Sequence, residues 1–247
     1  MTLPKVLLVE DDAATQAWVT MVLEVLPIDL VCCKNLGEAR SWMLAAVTAP
    51  RLLLLDMMLP DGSGLELLEE LRSWPADRRP VHVVLMSAGS GLDSRLQQAG
   101  QQVDQVLMKP PGVAKLIDCV KCWLAKPENA QTAVPSAVCR SPDQREAINL
   151  FFGGDESLYS NFATSCLEQF GLDIDNGDAS IRNGDIASIR RLGHSLKSVF
   201  RLLGRTQVVE LAASLERCAA DEANFSLTST AEQWSKLRQV LLDMTLR

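Results

Sequence analysis

Glu10, Asp11 and Asp12 close one apolar run, and Asp56 closes a second that is entirely leucine. Ser87 and Lys109 close two more. If these runs are parallel strands, their carboxyl ends share one edge, where the acids converge with a hydroxyl and an ammonium. Carboxylates crowded together repel and hold their protons more tightly unless a cation intervenes. Mg²⁺ answers that problem, because it takes oxygen ligands, keeps several waters and commonly bridges carboxylates to phosphate. A second set lies far along the chain. Arg190, His194, Lys197 and Arg201 recur at spacings of 4, 3 and 4, so they share one helix face, predicted to be exposed. Cations around a histidine favour its neutral, nucleophilic form and would stabilise a phosphoryl group placed on it.

The elements that must position these residues differ between the two halves. Val6–Val9, Leu30–Cys33, Leu52–Leu55, Val81–Met86 and Val103–Met108 read as strands. Near-continuous apolar runs of this kind fit strands buried on both faces. Helices are predicted over 13–26, 36–48, 64–73, 91–99 and 112–125. Strict alternation predicts an α/β doubly wound, five-stranded parallel sheet, with ligands bound outside the strands' carboxyl ends. Residues 126–142 carry three prolines and no sustained period, which predicts a linker between domains at 1–125 and 143–247. Beyond it, helices are predicted over 143–152, 155–182, 185–203, 206–222 and 227–246. Four longer amphipathic segments joined by short turns make an all-α four-helix bundle. Ile189, Leu192, Leu196, Val199 and Leu203 form the core stripe of the helix that carries His194.

LLVEDD, LLLLDMMLPDGSG, VVLMSA and VLMKP resemble, in order, the four signatures of the response-regulator receiver domain, which has a flavodoxin-like fold. The separations agree: 45 residues from Asp11 to Asp56, 31 to Ser87 and 22 more to Lys109. The resemblance implies that Asp56 is the phosphoacceptor. It implies that Asp11, Asp56 and the backbone carbonyl of Met58 bind Mg²⁺ directly, with Glu10 acting through water. Ser87 and Lys109 would contact phosphoryl oxygens. These roles suit a carboxylate nucleophile, whose charge and that of the phosphoryl group must both be offset. Pro110 makes the bond after Lys109 a candidate for the cis form. Val106 stands where the family usually has an aromatic residue, so a switch by such a ring is absent.

GHSLKSVFRLLG resembles the signature of the histidine-phosphotransfer (HPt) domain, a bundle with a phosphoaccepting histidine. His194, Leu196, Lys197 and Gly204 fall on that motif, while Ala212, Leu215 and Glu216 resemble the segment on the following helix. Ser198 stands where the family usually has glycine. The two resemblances imply a two-component phosphorelay protein whose partners are a sensor histidine kinase and other receiver or phosphotransfer proteins. The alternative is a receiver-like adaptor that binds without being phosphorylated.

Composition excludes other classes. The net charge of −7 divides evenly, −4 over residues 1–125 and −3 over the rest, so neither half predicts nucleic-acid binding. No apolar run approaches the roughly 20 residues that a membrane crossing needs. Seven cysteines without a spaced framework argue against a disulfide scaffold, and the lone pair Cys119 and Cys122 lacks two further zinc ligands. A cytoplasmic, non-enzymatic signalling protein is expected, and His82 is expected to be structural.

Overall fold

The computed structural model describes residues 3–87, 103–125, 143–220 and 226–245. The predicted helix over 91–99 and the linker over 126–142 lie outside them. The chain forms two compact units, which divide between Cys139 and Arg140.

In the first unit the elements run β1 (Lys5–Val9), α1 (Ala13–Leu23), β2 (Asp29–Cys33), α2 (Leu36–Ala45), β3 (Leu52–Asp56), β4 (Met58–Leu59), β5 (Gly62–Ser63), α3 (Gly64–Leu71), β6 (His82–Ser87), β7 (Gln105–Met108) and α4 (Val113–Ala125). Five strands form one parallel sheet in the order β2-β1-β3-β6-β7. Leu52, Leu53, Leu54 and Leu55 are fully buried because helices cover both faces of β3. Side chains alternate across the pleat, so Leu7, Val9, Leu53, Leu55 and Leu85 meet Leu36, Met43, Leu67 and Leu71 of α2 and α3.

The element types match the sequence reading, and the ends differ for local reasons. The last strand begins at Gln105 rather than Val103, because Asp104 is tied to β6 through its backbone N–H on Val83 O, 2.9 Å, and its Oδ2 on Val83 N, 2.7 Å. The helix predicted to run to residue 48 stops at Ala45, where Ala46 turns extended. The antiparallel pair β4–β5 was not predicted; its strands are two residues each, too short for a period to show. Lys109–Pro110 is cis.

The second unit is helical: α5 (Gln144–Phe152), α6 (Glu156–Asn183), α7 (Ile186–Leu202), α8 (Thr206–Ala220) and α9 (Leu227–Thr245). Asp143, Asp155 and Asp185 cap the starts of α5, α6 and α7, each accepting a backbone N–H three residues on. The core holds Phe170 stacked on Phe200, ring centroids 5.5 Å apart, with Ile189, Leu196 and Val199 buried on α7 and Leu203 buried at its C-cap, while Leu192 of the predicted stripe is only partly buried. Among the described residues no helix is long and apolar enough to cross a membrane.

Gly64 opens α3 directly beneath Asp56. A Cβ there would stand 2.3 Å from the Asp56 carbonyl oxygen, a distance only backbone movement can relieve. Gly64→Ala should destabilise the first unit by about 1–3 kcal/mol through overpacking. Urea unfolding followed by tryptophan fluorescence will read this, since Trp18, Trp42, Trp74 and Trp123 lie in that unit and only Trp234 in the other.

Candidate functional site

Strand register builds the first cluster. Val9 pairs with Leu55, so Glu10 emerges beside Asp56. Asp56 pairs with Met86 and Ser87 with Met108, which brings Ser87 and Lys109 to the same edge. Oxygens of Glu10, Asp11 and Asp56 lie within 4.8 Å of one another, the one such metal-competent group among the described residues. Lys109 Nζ is ion-paired with Glu10 Oε2 and lies 2.9 Å from Asp56 Oδ2. Asp56 Oδ1 is buried and meets no hydrogen-bond donor among the described residues.

The electrostatics show an excess of negative charge. Burial, with the charge of Asp56 behind it, pushes Asp11 up to about 6. Burial also holds Glu10 well above the usual carboxylate range, against the pull of Lys109. Burial alone would lower the Lys109 ammonium, but Asp56 and Glu10 reverse that and hold it above its ordinary value. A carboxyl raised by folding costs stability as pH rises through its titration, and a cation among these oxygens would remove the cost. The donors are all oxygens, one of them buried with no hydrogen-bond partner among the described residues. They fit Mg²⁺.

The other expected residues are placed as follows. Asp12 does not join the cluster, since its carboxylate caps α1 by accepting from Thr15 N at 2.6 Å. Ser87 is buried at the end of β6, and its carbonyl accepts from Lys109 N at 2.7 Å. Met58 stands in β4, two residues past Asp56. Val106 is partly buried against the core. His82 is buried with its ring 4.8 Å from that of Trp123, a structural role as expected.

In the bundle the exposed face predicted around His194 is not what the structure has. His194 is 9% exposed and Lys197 8%, while Arg190 and Arg201 are half-buried. Glu216 reaches across from α8 to both buried residues. Its Oε1 lies 2.8 Å from His194 Nδ1, and its Oε2 pairs with Lys197 Nζ. Gly193 permits this, because a Cβ there would come within 2.8 Å of the Glu216 backbone nitrogen. The histidine therefore answers to an anion as well as to cations.

Glu216 is the residue whose role sequence reasoning missed. Burial opposes its charge, yet the His194 hydrogen bond, the His194 charge and Lys197 together hold it down at about 2. An ionised carboxylate accepts only, so Nδ1 of His194 carries the proton and the lone pair sits on Nε2. Nε2 has no hydrogen-bond partner among the described residues. The available signal was a carboxylate on the next helix whose partner helix carries a glycine beside the histidine.

Each unit is similar to known proteins. The response regulator receiver domain family matches residues 6–121, and the Hpt domain family matches residues 158–245. The KDP operon transcriptional regulatory protein KdpE of Escherichia coli K12 is 32% identical over 156 residues, covering 62% of this chain and 66% of that protein. The phosphate regulon transcriptional regulatory protein PhoB of Rhizobium meliloti is 31% identical over 134 residues, 53% of this chain and 57% of that protein. The chain thus spans less than two thirds of the length of these relatives. A crystal structure of a receiver domain from Bermanella marisrubri has 27% identity and a TM-score of 0.43, covering 49% of this chain and 97% of that one. Two units, each matched by its own family, give this chain a response-regulator receiver domain joined to an Hpt domain.

Proposed function

We propose that the chain relays phosphoryl groups, taking one on Asp56 from a sensor histidine kinase and carrying one on His194 to or from a receiver aspartate. The observation that carries this reading is the Asp56 carboxylate, with one oxygen on Lys109 and the other buried and unpaired beside Glu10 and Asp11. An Asp56 oxygen attacks phosphorus, the P–N bond of the donor phosphohistidine breaks, and its electron pair stays on the departing imidazole. Asp11, Asp56 and the Met58 carbonyl, with Glu10 acting through water, would hold Mg²⁺, whose positive charge would offset the repulsion between carboxylate and phosphoryl oxygens. Lys109 and Ser87 hold the phosphoryl oxygens. Such a protein belongs in the cytoplasm and acts as a signalling intermediate rather than as an enzyme with turnover on a substrate.

At His194 the Nε2 lone pair attacks the phosphorus of an aspartyl phosphate, and the carboxylate leaves with the electrons of the P–O bond. The ring gains positive charge as the P–N bond forms, and Glu216 on Nδ1 offsets it. Lys197 balances Glu216 and adds positive charge one turn from the nucleophile.

Acetyl phosphate or phosphoramidate with Mg²⁺ tests both ports in wild type, Asp56→Ala and His194→Ala. An acyl phosphate lost in Asp56→Ala and an acid-labile phosphoramidate lost in His194→Ala are expected. No label on either residue, including with a panel of kinases, would leave the adaptor reading in its place.

Folding lowers the Glu216 pKa from 4.5 to about 2, so its contribution is fully present above pH 4.5 and lost as pH falls toward 2. At about 1.36 kcal/mol per unit this is on the order of 3 kcal/mol. Helical circular dichroism in urea should show wild type losing that much more stability across this range than Glu216→Gln.

A further inference from the structure

Asp61 belongs to the tip of the β4–β5 hairpin, where the Asp-Gly pair reads simply as a turn. Its carboxylate does something else. Oδ1 accepts from Leu36 N at 2.9 Å and Oδ2 accepts from Gly37 N at 2.8 Å, so both oxygens are engaged by the first turn of α2. That helix already has a cap of its own. Asn35 Oδ1 accepts from Glu38 N at 2.8 Å. The remote carboxylate takes the first two N–H groups of α2, which Asn35 does not reach. It thus ties the tip of the hairpin, whose Leu59 is seated in the core, to that helix. The hairpin's strands pair only Met58 with Ser63 and Leu59 with Gly62, and two-residue strands are marginal by themselves. Carboxylate bonds to helix N-terminal N–H groups are among the stronger hydrogen bonds available.

We infer that Asp61 is a positioning residue for the cation site: by tying the hairpin to α2 it fixes the backbone at Met58, two residues beyond Asp56. The inference rests on the proposed reading that the Met58 carbonyl joins Glu10, Asp11 and Asp56 around Mg²⁺. The anchored hairpin and the acid cluster share one short stretch of chain, because Gly64 N donates to Met57 O at 3.0 Å and Ser63 Oγ to the same oxygen at 3.3 Å. The loop is pinned at its base by these bonds and at its tip by Asp61. Met58 lies between the two pins.

Mg²⁺ affinity measured by calorimetry on the full chain tests this, with urea midpoints showing that each variant is folded. Asp61→Ala should bind Mg²⁺ about 10-fold more weakly, the lower end of what loss of a supporting contact costs a metal site. Asp61→Asn keeps one acceptor oxygen and should fall between it and wild type. Asn35→Ala removes the helix's own cap without touching the hairpin, so it should lose stability and keep wild-type affinity. Equal affinity in Asp61→Ala and wild type would overturn the inference. So would an Asn35→Ala loss as large as that of Asp61→Ala, because helix destabilisation would then explain both. If wild type itself binds no Mg²⁺, the cation reading fails and the inference goes with it.

Discussion

Two buried carboxylates, a half-buried third and one buried ammonium at a single sheet edge set the terms for the first unit. Taking a carboxylate out of water is expensive, and Glu10 and Asp56 are each 1% exposed. Lys109 compensates one charge by pairing with both, and Asp11 adds another that makes no ion pair among the described residues. The sheet must hold these groups together against their own repulsion. It does so with the fully buried β3 strand, whose partners β1 and β6 place Glu10 and Ser87 on either side of Asp56. Gly64 and the short hairpin then confine the chain that leaves the cluster. A site built this way is short of positive charge, and a divalent cation suits that shortage.

The bundle solves a different problem. There one carboxylate serves two partners, the His194 ring and the Lys197 ammonium. Glu216 fixes which nitrogen of His194 holds the proton and engages Lys197, so the group that orients the nucleophile also tethers the nearby ammonium. Helix packing makes the contact. Gly193 removes the side chain that would keep α8 away, which makes a packing residue a condition for the chemistry beside it.

Much of this was legible in the sequence. The leucines of 52–55, closed by an acid, read as a strand covered on both faces, and they are fully buried in β3. The breaks between the predicted bundle helices coincide with Gly153, Gly184 and Gly204, which take positive φ just past the ends of α5, α6 and α7. The parts that were not legible depend on contacts between distant residues. Asp12 looked like a member of the acid cluster, because capping and clustering use the same residue type and only geometry separates them. Asp61 looked like turn chemistry because its partners, Leu36 and Gly37, lie about 25 residues earlier and contribute backbone rather than side chains. The burial of His194 was missed because helical spacing tells which residues share a face, not what the next helix lays against it.

The account's central claim is that the acid cluster and Lys109 form a site for a phosphoryl group on Asp56. Beryllium trifluoride, which adopts the shape and charge of a phosphoryl group on a carboxylate, tests this without a kinase. Fluorine NMR of the full chain should show bound resonances that require Mg²⁺ and disappear in Asp56→Ala. No bound resonance in wild type with Mg²⁺, or the same resonances in Asp56→Ala, would contradict it.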